Sequence, residues 1–301
     1  MLKAVWQSSL AALLIAVVFL LPKVNQDEVN DEVMVLGEQT EILPSHFYDP
    51  GQFNLSLTRL GQLTEAFPDR PVKAGIIPHD LSHGEYIAHF FNNLSPQSPE
   101  YIILIGPNHY ERGATPVITS SAAWSTPFGV VQAAGGPINR LLSFEAIGQD
   151  NQVMVDEHAI AGVMPYLKYY LPDTKVIPLI LKSELTAQDI KQLVEILDQS
   201  LPDNAFLLAA VDFSHYLTAV EAEQNDQVTA RAMQSFDYQK ILSFGPRFND
   251  FLDSPPSIAL LLDWAKSHGL DKSSIIYNTN SARLANQPEL PTTSYFEMVF
   301  Y

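Results

Sequence analysis

Four short runs of continuously apolar residues occur in the part of the chain after residue 71. They are VKAGII at 72–77, YIILI at 101–105, KVIPLIL at 175–181 and AFLLAAV at 205–211. Because these runs lack the polar alternation of a half-exposed strand, they predict strands that are buried on both faces, as in a parallel sheet covered by helices.

Segments with helical periodicity separate these predicted strands, at 85–94, 186–201, 220–236 and 258–268. In the second segment, Thr186 is a candidate N-cap, and the apolar residues after it recur at helical spacing. The alternation of strands and helices predicts an α/β fold, a single domain with a mainly parallel central sheet flanked by helices.

The beginning of the chain has a different pattern, because residues 4–21 are uncharged and mostly apolar over the length that a bilayer-spanning helix needs. A cleaved signal peptide is the alternative, but no small-residue cleavage site follows at 20–23. We therefore expect an uncleaved signal anchor, an N-terminal transmembrane helix that precedes the α/β domain. The acidic stretch after it favours a membrane-anchored, single-pass protein whose domain is extracytoplasmic.

The predicted organisation therefore has three parts, with the membrane as one partner. They are a signal anchor at 1–24, an acidic tether at 25–70 and the α/β domain at 71–301.

Composition narrows the chemistry and the other partners of this domain. Lys and Arg total 17 and Asp and Glu total 34, so the formal net charge is −17 and no nucleic-acid partner is expected. The chain has no cysteine, which excludes disulfides, thiolate nucleophiles and cysteine-ligated zinc. Any metal ion must therefore be held by His, Asp or Glu.

Histidines follow the ends of three predicted strands. His79 and His109 come just after the first two, and His215 follows a later one with Asp212 just before it. Ligands bind at the carboxyl edge of parallel strands in open α/β sheets, so we expect these side chains to share a pocket. His158, in the segment DEHAI, is expected to face the same pocket.

Each of these residues also has a purely structural interpretation. A single His after a strand is often a hydrogen-bonded loop residue, and Asp212 could cap the helix that follows it. Together, the residues favour a metal site, because imidazole and carboxylate are common ligands, or general acid–base chemistry near pH 7. His89, by contrast, is expected on a solvated helix face.

At these residues the chain resembles the Memo family, which includes the bacterial proteins called AmmeMemoRadiSam system protein B. The resemblance extends over most of 72–301, and TSYFEMVF at 293–300 is similar to the closing strand of the family. The six motifs that carry it, in order, are IPH at 77–79, ILIGPNHY at 103–110, STPFG at 125–129, DEHAI at 156–160 with MPYL at 164–167, VIPLIL at 176–181 and VDFSHY at 211–216.

The resemblance implies an α/β fold similar to that of class III extradiol ring-cleaving dioxygenases, with a pocket at the matching position. It implies that His79 and His109 bind a divalent metal ion. It also implies that Asp212 and His215 line the same pocket and that His158 lies near it.

In family members with a third metal ligand, that ligand is a cysteine shortly before an apolar helix. The equivalent position here, counted back from IALLL at 258–262, is Asp253, with Ser254 as the alternative. A carboxylate beside two histidines favours a harder metal ion than a thiolate does, with iron preferred over zinc or copper. The loop at 78–86 reads PHDLSHGEY where the family usually has PHAGY, so the loop beside the pocket is altered.

Two functions are compatible with this site. The first is a metal-dependent oxygenase or hydrolase in which His215, oriented by Asp212, and His158 perform acid–base steps on a small-molecule ligand. The second is a non-catalytic metal- or ligand-binding protein built on a retired dioxygenase-like fold. Both hypotheses place the metal ion on the same residues.

Overall fold

The computed structural model describes residues 41–202, 204–245 and 250–301 of the chain. The strands are β1 (Ile42–Pro44), β2 (Ala74–Ile77), β3 (Tyr101–Pro107), β4 (Val117–Thr119), β5 (Ala123–Thr126), β6 (Gly129–Val131), β7 (Ile147–Gln149), β8 (Lys175–Leu181), β9 (Phe206–Ala210), β10 (His215–Leu217), β11 (Ser273–Asn280) and β12 (Thr292–Phe300). The helices are α1 (Pro50–Leu60), α2 (Glu85–Leu94), α3 (Gly135–Leu141), α4 (Asn151–Val155), α5 (His158–Ala161), α6 (Met164–Tyr170), α7 (Ala187–Ser200), α8 (Ala219–Gln234), α9 (Tyr238–Leu242), α10 (Pro255–Ser267) and α11 (Ser281–Leu284), with a 3₁₀ turn at Leu81–His83.

Within the described ranges, a central sheet of nine strands has the order β10-β12-β2-β9-β3-β8-β4-β7, and β11 pairs with β12. The neighbours β2, β9, β3 and β8 are parallel to one another. Antiparallel pairing begins on either side of them, where β12 meets β2 and β4 meets β8. A smaller sheet joins β1, β5 and β6.

The expected sheet is therefore corrected from mainly parallel to mixed. The four apolar runs do form the parallel centre, but the strands directly beside it, β12 and β4, run the other way. Apolar runs carry no direction, and antiparallel neighbours such as β11 and β12 need only a short connection. The fold class is a mixed α/β domain with a central sheet.

The expected transmembrane helix at 4–21 lies outside the described residues. No helix within the described part of the chain is long and apolar enough to cross a membrane. The longest of these, α8, has 16 residues, whereas a spanning helix needs about 20 apolar ones. The fold class with an N-terminal transmembrane helix is corrected accordingly, as are the membrane partner and the membrane-anchored, extracytoplasmic localisation.

Two elements lie within 41–70, the described part of the predicted tether at 25–70. Strand β1 pairs in parallel with β5, and α1 begins at an Asp49 cap whose side chain accepts a hydrogen bond from the Gln52 backbone. Phe53 of α1 is buried, and its ring centroid lies 4.8 Å from that of Tyr166. The bounds of the three predicted parts, 1–24, 25–70 and 71–301, stay predictions.

The central sheet separates two hydrophobic clusters. Ile103 and Ile105 of β3 belong to one cluster, while Ile102 and Leu104 belong to the other, as expected for alternating side chains of a strand covered on both faces. Helices α7 and α10 pack on the first face, and α2 and α6 pack on the second. The covered parallel strands form the rigid support from which the loops at their carboxyl ends project.

Asp226 on α8 holds the strands at one side of this support. Its Oδ1 accepts hydrogen bonds from the hydroxyls of Ser214 (3.0 Å) and Ser294 (2.7 Å), and its Oδ2 accepts one from Asn278 Nδ2 at 2.9 Å. Burial raises the pKa of Asp226 to about 6 although these hydrogen bonds lower it. The network fixes the chain immediately before His215.

His89, which the sequence placed on a solvated helix face, is buried. Its Nδ1 donates to Glu297 Oε1 of β12 at 2.8 Å, and its Nε2 donates to the Glu65 carbonyl at 2.8 Å. The pair joins α2 to the sheet and to the segment that leads into β2, so we assign His89 a structural role.

Candidate metal centre

The parallel strands deliver polar side chains to one edge of the sheet. His79, His109 and Asp212 each lie two residues beyond the end of a parallel strand, in β2, β3 and β9 respectively. His158 begins α5 nearby, and His215 begins β10. These five residues line one cleft of about 520 Å³.

Three of the histidines form a compact cluster. The potential ligand atoms of His79, His109 and His158 all lie within 4.8 Å of one another. The rings of His109 and His158 are stacked with centroids 4.3 Å apart, and the His79 ring meets both edge-on. These three histidines could hold one metal ion.

Hydrogen bonds orient two of these rings. His79 Nδ1 donates to the carbonyl of Ala210 at 3.2 Å, and His109 Nδ1 donates to Glu157 Oε1 at 2.7 Å. Metal-binding histidines generally use their second ring nitrogen in this way, which fixes the tautomer and the ring plane. The Nε2 atoms of both rings are left to face a shared gap.

The carboxylate of Asp253 occupies the far side of this gap. Its Oδ2 lies 3.2 Å from His79 Nε2 and 3.4 Å from His109 Nε2, and neither of its oxygens accepts a hydrogen bond from a residue that the structure describes. Two ligand atoms that each lie about 2.0–2.2 Å from one ion are separated by about 3–3.5 Å. The spacing and the donor chemistry therefore fit a divalent cation.

The alternative third ligand, Ser254, has a different role. It is the N-cap of α10, where its hydroxyl donates to Ser257 Oγ at 2.6 Å and accepts from the Ser257 backbone at 3.3 Å. The structure thus brings Asp253, rather than its neighbour, towards the two histidines.

Neighbouring charges give the stacked histidines opposite pKa shifts. Burial lowers the pKa of His109, but Asp253 and Glu157 outweigh burial and raise that pKa to about 10. Burial, together with the electrostatic effect of the neighbouring His79 and His109, lowers the pKa of His158 to about 4. Without a metal ion at pH 7, His109 is therefore charged and His158 is neutral.

Asp212 holds the loop after β2. Its Oδ1 accepts hydrogen bonds from the backbone N–H groups of His79 (2.9 Å) and Asp80 (3.4 Å), and burial raises its pKa. No hydrogen bond joins it to His215 in the described part of the chain, and the buried Nδ1 of His215 has no partner there. The structure brings His215 to the cleft without the orienting contact that the sequence predicted.

Glu157 has a place in the site that the sequence analysis did not assign to it. It is 1% exposed, and its Oε2 accepts a hydrogen bond from the His109 backbone at 2.9 Å while Oε1 binds the His109 ring. The same Oε1 lies 3.4 Å from His158 Nδ1. Its position beside His158 in the DEHAI motif was the only signal in the sequence.

Comparison with known proteins gives consistent matches. The family described as Memo-like protein matches residues 46–299. A MEMO1 family protein of Pyrobaculum arsenaticum is 23% identical over 233 residues, covering 75% of this chain and 83% of the relative. A MEMO1 family protein of Aquifex aeolicus is 24% identical over 234 residues, covering 76% and 85%.

A solved structure is also similar. The crystal structure of an uncharacterized protein of Escherichia coli K12 has a TM-score of 0.50 and 13% identity, covering 75% of this chain and 99% of that one. At this identity the likeness shows the fold alone.

The opposite pKa shifts predict that neither stacked histidine titrates near neutral pH in the metal-free protein. NMR of ring-labelled histidine, assigned with His109→Gln and His158→Gln, should show no change for either ring from pH 6 to 8. Asp253→Asn should move the titration of His109 to lower pH, because one of its two carboxylate neighbours is then neutral. A midpoint for His109 near the ordinary value of about 6.5 in the wild type would contradict this assignment.

Proposed function

The chain belongs to the Memo family, and from that premise we propose that its cleft binds one divalent metal ion through His79, His109 and Asp253. One observation carries the proposal, the buried Asp253 carboxylate that faces two Nε2 atoms without accepting a hydrogen bond from any described residue. A buried carboxylate without hydrogen bonds is costly, so a cation at this position would offset its loss of hydration.

The donor set favours iron(II), with zinc and copper as alternatives. Two histidines and one carboxylate that leave other positions open are the arrangement of non-haem iron enzymes, and the chain has no thiolate to favour a softer ion. His158 is the third imidazole of the cluster and is available as a further donor. When bound, the ion would supply Lewis acidity and open positions for a ligand.

We propose that the site is that of a metal-dependent enzyme, an oxygenase or a hydrolase. His158 is uncharged at pH 7 and can accept a hydrogen bond from a ligand in the cleft. His215 lines the same cleft and is the candidate for proton transfer. Asp212 would act through the backbone by keeping His79 in place.

A second candidate, a non-catalytic metal-binding protein, is favoured by one specific observation. A general base is usually held in position by a further polar group, but the buried Nδ1 of His215 has no such partner among the described residues. If His215 carries out no proton transfer, the cleft would serve metal or ligand binding alone.

Metal content tests the proposed centre. The full-length protein, purified without a histidine tag or chelator and reconstituted with iron(II) or zinc, should contain one metal ion per chain by elemental analysis. His79→Ala and Asp253→Asn should lose the ion, whereas His268→Gln, a control on a histidine outside the cleft, should retain it. Absence of bound metal in the wild type after reconstitution would refute the proposal.

Glu157→Gln should weaken metal binding without unfolding the protein. The amide keeps an acceptor for His109 Nδ1 but removes the negative charge that strengthens this imidazole as a ligand. Loss of such a supporting partner typically costs about 10–100-fold in metal affinity. Competition with a chromophoric chelator measures this change. Asp156→Asn is the matched control, because that carboxylate pairs with Arg112 at 3.0 Å, and equal affinities in the two variants would contradict the role of Glu157.

His215→Ala distinguishes the two functions. If the protein is an enzyme, the metal-loaded wild type should consume oxygen with catechol or release 4-nitrophenol from its acetate ester. The variant should keep its metal and lose about 10²–10⁴-fold in rate, the usual contribution of a general acid or base. Metal binding without turnover of either probe, unchanged in the variant, would favour the non-catalytic alternative.

A further inference from the structure

The side chains that line the cleft have an unusual charge balance. Among the described residues, no Lys or Arg side chain lines the cleft, and its basic side chains are histidines. Two acidic side chains, those of Asp80 and Asp212, also line it. Asp253 and Glu157 lie beneath them and are buried. Within the described ranges, the cleft therefore has several carboxylates and neither a lysine nor an arginine to pair with an anionic ligand.

A metal ion would not reverse this balance. The two positive charges of a divalent ion would be opposed by the carboxylates of Asp253, Glu157 and Asp80, which leaves the site net negative. The net charge of −17 on the whole chain adds a field of the same sign. In the metal-free protein, these carboxylates therefore repel an approaching anion and attract an approaching cation.

Asp80 is the acidic group fixed at the wall of the cleft. Its Oδ2 accepts a hydrogen bond from the Tyr295 hydroxyl at 2.7 Å, and its Oδ1 accepts one from the Ser82 backbone at 2.9 Å. These two hydrogen bonds hold the carboxylate of Asp80 in one orientation at the wall of the cleft.

Apolar and aromatic side chains form other parts of the same wall. Phe47 and Leu81 line the cleft together with Tyr216, whose side chain is 78% exposed. Tyr216 has a backbone φ of 63°, in the left-handed region that a bulky residue rarely adopts. The register of β10 on β12 shifts between His215 and Leu217, which accommodates this conformation. An exposed ring held in a strained conformation at a cleft is a candidate ligand contact.

We propose that the cleft selects a small neutral or cationic ligand with a planar apolar part that packs against Phe47 and Tyr216, and that Asp80 excludes carboxylates and phosphates of the same size. This inference rests on the proposed function, because the ligand would be the one that the proposed metal centre acts on or binds. The charge selection itself comes from the side chains of this chain, so we expect it in the metal-free protein.

The test compares three probes of similar shape, namely benzylamine, benzyl alcohol and benzoate, at pH 7.5 on the metal-free and zinc-loaded full-length protein. Dissociation constants are measured from NMR shift changes. Benzylamine and benzyl alcohol should bind at least about tenfold more tightly than benzoate in the metal-free protein. One repulsion between two carboxylates across an intermediate dielectric accounts for at least that factor. Tyr216→Ala should raise the dissociation constants of all three probes by a similar factor.

Asp80→Asn should lower the ratio of the benzoate to the benzylamine dissociation constant about tenfold, because the variant removes one nearby negative charge. Asp156→Asn, which removes a carboxylate that does not line the cleft, should leave the ratio unchanged. Should Asp80→Asn fold poorly, raising the salt from 50 to 500 mM in the wild type should lower the same ratio, because salt screens the charges.

Three outcomes would overturn the inference. The first is binding of benzoate to the metal-free protein as tight as that of benzylamine. The second is a ratio of these two dissociation constants that neither Asp80→Asn nor salt changes. The third is no binding of any probe at 10 mM. Failure of the metal centre is separate from these, because it appears as absent zinc while the metal-free comparison still reports the charge selection.

Discussion

The structure of the site depends on one constraint, the burial of the Asp253 carboxylate without a hydrogen-bond donor in the described part of the chain. Removing a carboxylate from water costs several kcal/mol unless a positive group replaces its hydration. The groups within reach are the Nε2 atoms of His79 and His109, at 3.2 and 3.4 Å. Either a proton on an imidazole or a metal ion must therefore supply the positive charge, and the two compete for the same nitrogen lone pairs.

This competition explains why the stacked histidines differ. Glu157 is 2.7 Å from the ring of His109 but 3.4 Å from that of His158, and Asp253 is a second carboxylate 3.4 Å from His109. One proton placed on His109 lies between both carboxylates, and its charge then opposes a second proton on the ring stacked against it. The stacked pair therefore has one charged and one neutral imidazole before any metal binds, and an ion that displaces the proton leaves the surrounding hydrogen bonds in place.

The convergence of the histidines could be predicted from sequence, because the carboxyl ends of parallel strands meet at one edge whatever the length of the connections between them. The direction of β12 and β4 could not, since an apolar run has the same composition in either orientation. The buried pair of His89 and Glu297 joins residues 208 positions apart, and helical periodicity alone does not show which polar residue has a distant partner. Asp212 illustrates the same difficulty, because its partners are backbone groups of another loop and not the histidine three residues away.

The loop after β2 shows how the ligand preference of such a site can change while its metal-binding geometry stays the same. His79 is fixed by the Ala210 carbonyl and the Asp212 carboxylate, which come from β9 and the residues just after it. The side chain of Asp80, the next residue, is fixed by Tyr295 of β12 instead. Because the two side chains are held by different strands, we expect a substitution of the Asp80 side chain to alter the charge of the cleft wall without releasing His79, a proposed metal ligand. The altered segment that begins at Asp80 therefore lies where a chain of this family can acquire its own specificity.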